Sequence, residues 1–190
     1  FVYAPGYLGL EGESLDAMRA LTGIRIAKED REARPQLTLE PGDPLARDLK
    51  PETPVGAANL KVWPQFYADD PEARVAARLV DGGKAGLVLK RGDGWTSVYC
   101  GAMELPPALM RNLARMAGVH VWLDTDDALY TDGQFVGVHA ATEGAKTLRL
   151  PGRFRVINAM TGEPVPSDGQ TVTITLKRAQ TAVLHLEPIE

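Results

Sequence analysis

The sequence predicts an α/β segment followed by a small all-β module. Before Asp124, strand-like runs alternate with two stretches whose apolar residues recur at helical spacing. Beyond Asp124, apolar and polar residues alternate with a period of two, and turn residues separate the alternating runs. We therefore expect two domains, over residues 1–123 and 124–190.

Two helices are predicted from their end signals. Ser14 suits an N-cap, Gly23 stands at the C′ position, and the apolar residues between them are three apart. Pro106-Pro107 opens the second helix, and Gly118 closes it.

Strands are predicted between and around these helices. A proline-rich stretch, Pro41–Asn59, predicts a long surface excursion with at most one helical turn. Asp81–Lys84 and Arg91–Gly94 have the composition of hairpin turns, so the strands around them form a meander. The predicted strands of the α/β segment are Phe1–Ala4, Ile24–Ile26, Leu37–Leu39, Val62–Tyr67, Arg74–Val80, Ala85–Lys90, Thr96–Tyr99 and Val119–Leu123.

Short strands at regular spacing make up the second module, which predicts a small β-sandwich or barrel. Each strand places one apolar face inward. The predicted strands are Phe135–Val138, Leu148–Leu150, Phe154–Val156, Val172–Leu176 and Ala182–Leu186.

Charge and composition exclude several functional classes. The net charge of -4 and pI near 5.5 give no attraction to nucleic acid or to an anionic membrane. No apolar run reaches membrane-spanning length. The one cysteine excludes an internal disulfide and a closed cysteine zinc site, and leaves the compartment open between cytoplasm and exterior.

Several short motifs carry a family resemblance. They are Tyr3–Tyr7 (Tyr-Ala-Pro-Gly-Tyr), Leu21–Ile24, Val98–Gly101, Ala117–His120 and Thr161–Glu163. In this order they resemble the glutamine-amidotransferase-like domain of multidomain glycoside hydrolases, the β-galactosidase trimerisation type, followed by the small C-terminal β domain of those enzymes.

The resemblance implies a partial flavodoxin-like or amidotransferase-like fold that lacks its first strands, in a piece of a larger protein. It also implies that the catalytic carboxylates lie in a separate (β/α)₈ barrel and that this domain mediates assembly. We therefore expect a non-catalytic accessory and assembly domain of a carbohydrate-active enzyme. Its partners would be a second copy or the rest of a longer polypeptide, and no cofactor is expected.

The sequence lacks the residues that nucleophilic catalysis of the amidotransferase type requires. An amidotransferase needs a cysteine at a strand-to-helix turn, with a histidine that a glutamate orients. Gly6, Tyr7 and Leu8 stand at that turn. We interpret His185 and Glu187 as a solvated strand face and Cys100 as a buried structural residue.

The densest carboxylate cluster is Asp124, Asp126 and Asp127. Calcium favours such oxygen ligands, but Ala128 at the fifth position departs from the EF-hand loop. We interpret the cluster as an interdomain turn and assign no metal. A stand-alone hydrolase using Asp124, Asp126 or Glu104 is the alternative function.

A carbohydrate-binding module is the third functional hypothesis. Aromatic rings stack on sugar faces, although aromatic residues in strands more often pack in the core. Tyr7 and Trp95 are the predicted carbohydrate contacts because both lie on or beside loops.

Overall fold

The computed structural model describes residue 12, residues 14–50 and residues 52–189. They divide into two compact units, one reaching residue 112 and one starting at residue 113. The sequence placed the domain boundary eleven residues later, at Asp124, and the division of the structure falls within the second helix. Neither helix of the described residues is long and apolar enough to cross a membrane.

Among the described residues, two helices and seven strands precede residue 117. The helices are α1 (Leu15–Thr22) and α2 (Pro107–Met116), and the strands are β1 (Ile26–Glu29), β2 (Gln36–Leu39), β3 (Val55–Gly56), β4 (Gln65–Ala68), β5 (Arg74–Leu79), β6 (Ala85–Arg91) and β7 (Thr96–Cys100).

The signals at the helix ends are confirmed. The Ser14 hydroxyl accepts a hydrogen bond from the Ala17 amide at 3.1 Å, and Gly23 has the left-handed φ of 69° that ends α1. Gly118, with φ of 73°, follows the end of α2. The proline-rich excursion holds one 3₁₀ turn (Pro44–Ala46) and the two-residue β3.

The seven strands form one sheet in the order β1-β4-β6-β5-β2-β3, with β7 paired to β6. Every strand pair in it is antiparallel. The β5-β6-β7 meander and its two hairpin turns are confirmed.

The expectation of a flavodoxin-like α/β segment needs correction. No parallel pair occurs among the described residues, which form mainly antiparallel β structure with two helices. The physical reason lies in the connections, since a parallel pair needs a crossover of a dozen or more residues, usually a helix. Here β5, β6 and β7 are joined by turns too short for a crossover. The predicted strand Phe1–Ala4 lies outside the described residues.

One hydrophobic cluster of the first unit lies where α1 covers the sheet. Met18 of α1 is fully buried, as is Ile24 after it. They pack with Phe66 of β4, Val88 of β6 and Tyr99 of β7. The helical spacing of apolar residues on α1 and their alternation on the strands therefore place these side chains in the same cluster.

The second unit is a small β-sandwich, as the sequence predicted. Its strands are β8 (Ala128–Thr131), β9 (Phe135–His139), β10 (Gly144–Arg149), β11 (Phe154–Asn158), β12 (Pro164–Val165), β13 (Thr171–Leu176) and β14 (Thr181–Pro188). One sheet has the order β12-β11-β14-β9-β8, and the other pairs β10 with β13. Both sheets supply the same aliphatic core, including Val136, Leu184, Leu148 and Val172.

One predicted strand of the boundary region is wrong. Residues 119–123 are irregular. They make a backbone hydrogen bond in which the Arg149 amide donates to the Trp122 carbonyl at 2.8 Å, but they form no ladder. Leu123 is nevertheless buried in the sandwich core. The apolar character of Leu123 therefore reflects its burial and does not indicate strand pairing.

Candidate functional site

Cys100 lies at the end of β7 and is fully buried. Desolvation raises the pKa of its thiol to about 12, and the thiol donates a weak hydrogen bond to the Ala102 carbonyl. Only a thiolate is nucleophilic, so this side chain is inert at neutral pH. The interpretation of Cys100 as a structural residue agrees with this geometry.

His185 and Glu187 share the outward face of β14, while Leu184 and Leu186 point into the core. The His185 Nδ1 and Glu187 Oε1 atoms are 3.9 Å apart. His185 Nε2 lies 3.2 Å from the Gln134 amide nitrogen, and Glu187 pairs with Arg155 at 3.4 Å. The two residues therefore belong to a polar strand face, as the alternation predicted.

The carboxylate cluster at 124–127 faces cations of the protein itself. Asp124 pairs with Arg149 and Arg115, and hydrogen bonding and charge from Arg149 keep the pKa of Asp124 below its usual range. Among the described residues, no three His, Cys, Asp or Glu side chains are grouped to hold a metal ion. Asp126 lies exposed on the same turn.

Asp127 is the most buried carboxylate of this turn, with 1% of its side chain exposed. It pairs with Lys146 at 2.9 Å and accepts hydrogen bonds from the Thr125 hydroxyl at 2.6 Å and the Ala141 amide at 2.8 Å. Burial alone would raise the pKa of Asp127, but these three donors lower it overall. Because both oxygens of Asp127 are occupied within the protein, its role is to hold the turn.

Glu104 lies between β7 and α2 in the first unit, exposed and with a left-handed φ of 57°. Asp124 and Asp126 belong to the second unit. Within the described residues, the carboxylates of the hydrolase alternative are therefore not gathered in one compact unit.

Trp95 is half exposed on the hairpin between β6 and β7. Its indole lies over two glycines. A methyl group added at Gly92 would come within 2.3 Å of Trp95 Cε2, and one added at Gly23 within 3.1 Å of Cη2. The indole therefore packs against both glycines, and about half of the residue stays exposed to solvent. Tyr7, the other predicted carbohydrate contact, lies outside the described residues.

A second aromatic surface lies on the outer face of the five-stranded sheet. We call it the Gly137 face and define it as Tyr130, Phe135, Gly137, His139, Val183 and His185. The strand register places Tyr130 and Val183 on either side of Gly137, and it pairs Phe135 with His185. The Phe135 and His185 rings are stacked, with centroids 4.8 Å apart. Sequence reasoning missed this surface because it depends on cross-strand partners.

No family model matches the chain, and no curated protein matches it in sequence. Solved structures do match. The β-galactosidase from Bacillus circulans sp. alkalophilus has a TM-score of 0.59 and 19% identity over 95% of this chain and 26% of its own. The cold-adapted β-galactosidase from Rahnella sp. R3 has a TM-score of 0.51 and 15% identity, over 94% and 26% of the two chains.

A third structure, Gan42B, a GH42 β-galactosidase from G. stearothermophilus, has a TM-score of 0.53 and 13% identity over 93% of this chain and 25% of its own. The chain thus spans about a quarter of the length of the solved structures it matches. Identities this low show similarity of fold. The chain therefore shares its fold with a portion of GH42 β-galactosidases.

Proposed function

We propose that the chain is a non-catalytic accessory and assembly domain of a GH42-like glycoside hydrolase. One observation carries the proposal: the fold similarity covers 93% to 95% of this chain but only about a quarter of each β-galactosidase. A portion that recurs in several β-galactosidases is suited to a supporting role in such an enzyme.

The chemistry of the described residues supports the non-catalytic part of the proposal. The buried thiol of Cys100 is protonated, and the carboxylates of Asp124 and Asp127 are neutralised by arginine and lysine. A retaining or inverting glycosidase needs two carboxyl groups facing each other across the sugar, about 5–9.5 Å apart. Of the carboxylates in the hydrolase alternative, Asp124 is already paired with Arg149 and Arg115.

The first test is an activity assay. The purified chain, given chromogenic β-galactosides and esters, is expected to hydrolyse neither. Hydrolysis that is abolished by Asp126→Asn or Glu104→Gln would support the hydrolase alternative instead. Both side chains are exposed, so we expect their replacement to change the stability of the chain little.

The second test concerns assembly. We expect the source gene to encode a (β/α)₈ barrel upstream of Phe1, and light scattering to show that the full gene product self-associates. Deletion of residues 1–190 from that product is expected to reduce its oligomeric state. A strictly monomeric product without a barrel would contradict the proposal.

Trp95 carries a second, smaller proposal, namely contact with carbohydrate. The supporting observation is that its indole packs against Gly92 and Gly23 while 51% of the residue stays exposed. An exposed aromatic ring can stack on a sugar face. Titration with galactosides is expected to change the tryptophan fluorescence of the chain, and Trp95→Ala should abolish the change. An identical change in this variant would exclude Trp95.

A further inference from the structure

Gly137 lies in the middle of β9, and neither its backbone conformation nor its neighbours require a glycine there. Its φ is not left-handed, and a methyl group added there would meet only the Tyr130 carbonyl oxygen, at 3.9 Å. By contrast, a methyl group added at Gly86 of β6 would lie 2.3 Å from Leu37 Cδ2. A strand-interior glycine weakens a sheet and often marks a place where a ligand approaches closely.

The neighbouring tyrosine does not cover Gly137. An aromatic residue opposite a glycine can pack over it and replace the missing side chain. Tyr130 is directly opposite, but it is 76% exposed, and none of its ring atoms comes within 4 Å of the added methyl position. The glycine thus leaves an open trough in the outer face of the sheet.

The walls of the trough are aromatic and polar. Phe135 and His139 lie two residues either side of Gly137 on β9, about 6.8 Å along the strand from it. Tyr130 and Val183 form the lateral walls. The His139 Nδ1 atom lies 2.8 Å from the Thr181 hydroxyl oxygen, and Gln134 holds His185, so the polar groups are oriented.

This chemistry favours one class of ligand. β9 is paired on both sides, by β8 and β14, so a peptide cannot add to it as a strand. The trough has no lysine or arginine among its defining residues, which disfavours phosphate and nucleic acid. Exposed rings beside hydrogen-bonding side chains suit a molecule with one apolar face and several hydroxyls.

We propose that the Gly137 face binds a neutral carbohydrate, with one sugar ring over Gly137 and stacked against Phe135 or Tyr130. The site differs from Trp95, which belongs to the first unit. The choice of sugars as the ligand class draws on the proposed function, whereas the geometry of the trough does not depend on it.

The test is an NMR titration of the isotopically labelled full chain. The probes are galactose, lactose and β-1,4-galactobiose, with glucose, xylose and maltose for comparison. We expect dissociation constants of about 1 mM or weaker, as befits a shallow site, and shift changes centred on the residues of the Gly137 face.

The informative variant is Gly137→Val. Valine fits the backbone and favours strands, so the melting temperature should stay equal or rise while affinity falls at least about tenfold. Phe135→Ala should weaken binding as well. The matched control, Thr175→Val on the outward face of β13, should leave affinity unchanged.

Three results would overturn the inference: no shift changes with any sugar, shift changes confined to residues around Trp95, or loss of stability in Gly137→Val without loss of affinity. None of these bears on the accessory role, which depends on the activity and assembly tests. Conversely, hydrolysis by the purified chain would refute the accessory role and leave the binding result standing.

Discussion

In the described residues, an aspartate-lysine pair holds a turn in each unit, and the two pairs differ in depth. In the first unit, Asp70 pairs with Lys90 at 2.9 Å, with 6% and 21% of the two side chains exposed. In the second unit, Asp127 pairs with Lys146 at the same distance, with 1% and 2% exposed. The ion-pair distance is the same in the two pairs, but their access to water is not.

The surroundings of the two lysines make the difference larger. The ammonium group of Lys90 also lies 3.0 Å from Glu72, whose side chain is mostly exposed. In the part of the chain that the structure describes, the ammonium group of Lys146 has one further partner besides Asp127, the Thr142 hydroxyl at 3.1 Å. Loss of one partner from a buried pair leaves an unsolvated charge, whereas water replaces the partner of an exposed one. The same contact should therefore contribute very differently to the two units.

The largest expected effect is that of Lys146→Met. It leaves the Asp127 carboxylate buried without its cation, so we expect the second unit to lose about 3–5 kcal/mol of unfolding free energy. Lys90→Met is the matched control in the first unit and should cost about 1 kcal/mol. Urea unfolding followed through NMR signals of each unit measures both, and equal losses would contradict the comparison.

A double replacement sharpens this result. Lys146→Met combined with Asp127→Leu removes both buried charges, and such replacements are often neutral or stabilising. We expect the double variant to be more stable than Lys146→Met alone. A double variant that is less stable would mean that the hydrogen bonds of Asp127 to Thr125 and Ala141 outweigh its charge.

A smaller effect is expected from acid in the first unit. Burial raises the pKa of Asp70, but hydrogen bonds from Lys90 and from the Arg25 and Glu72 amides outweigh it and lower the pKa from 3.8 to about 2. The folded state thus prefers the charged form. The stabilisation is complete above pH 3.8 and is lost as the pH falls towards 2, a change of up to about 2 kcal/mol.

Asp70→Asn tests this pH dependence. We expect the unfolding free energies of the variant and the native protein to differ at pH 6 and to converge near the Asp70 pKa of about 2. Urea unfolding at a series of pH values gives the comparison. A difference that does not change with pH would show that Asp70 acts through shape rather than charge.

The smallest effect on stability is expected from removal of the buried Tyr99 hydroxyl. Tyr99 is fully buried, and its hydroxyl has no hydrogen-bond partner among the described residues. Tyr99→Phe should leave stability unchanged or raise it by about 1 kcal/mol. The control is Thr22→Val, because the buried Thr22 hydroxyl donates to the Met18 carbonyl at 2.7 Å, and its loss should cost about 1 kcal/mol. Thermal unfolding measures both, and a larger loss in Tyr99→Phe would contradict the prediction.

Local signals in the sequence predicted the local structure well. Ser14 and Gly23 bound α1 as their chemistry requires, and the turns after Leu79 and Arg91 make hairpins. The expectation of a flavodoxin-like fold, which is built on a parallel sheet, needed correction because it came from the family resemblance. The hairpin turns in the same sequence already favoured antiparallel pairing.

Contacts between distant residues could not be predicted. β2 pairs with β5 across the whole proline-rich excursion, and no local pattern specifies that choice. The interpretation of Asp124–Asp127 as a structural turn stays a prediction, and its partners Arg149 and Lys146 come close only through folding. The place of Gly137 on an aromatic sheet face likewise becomes evident only from the strand register, which puts Tyr130 and Val183 beside it.

The position of β14 in the second unit affects how that unit forms during translation. β14 is the central strand, bonded to β9 on one side and β11 on the other, yet it is the last strand of the unit to be synthesised. Until it leaves the ribosome, β9 and β11 each present an unpaired edge, and the sandwich core lacks Leu184 and Leu186. Ribosome-bound chains that end before residue 181 should therefore depend on chaperones to avoid aggregation.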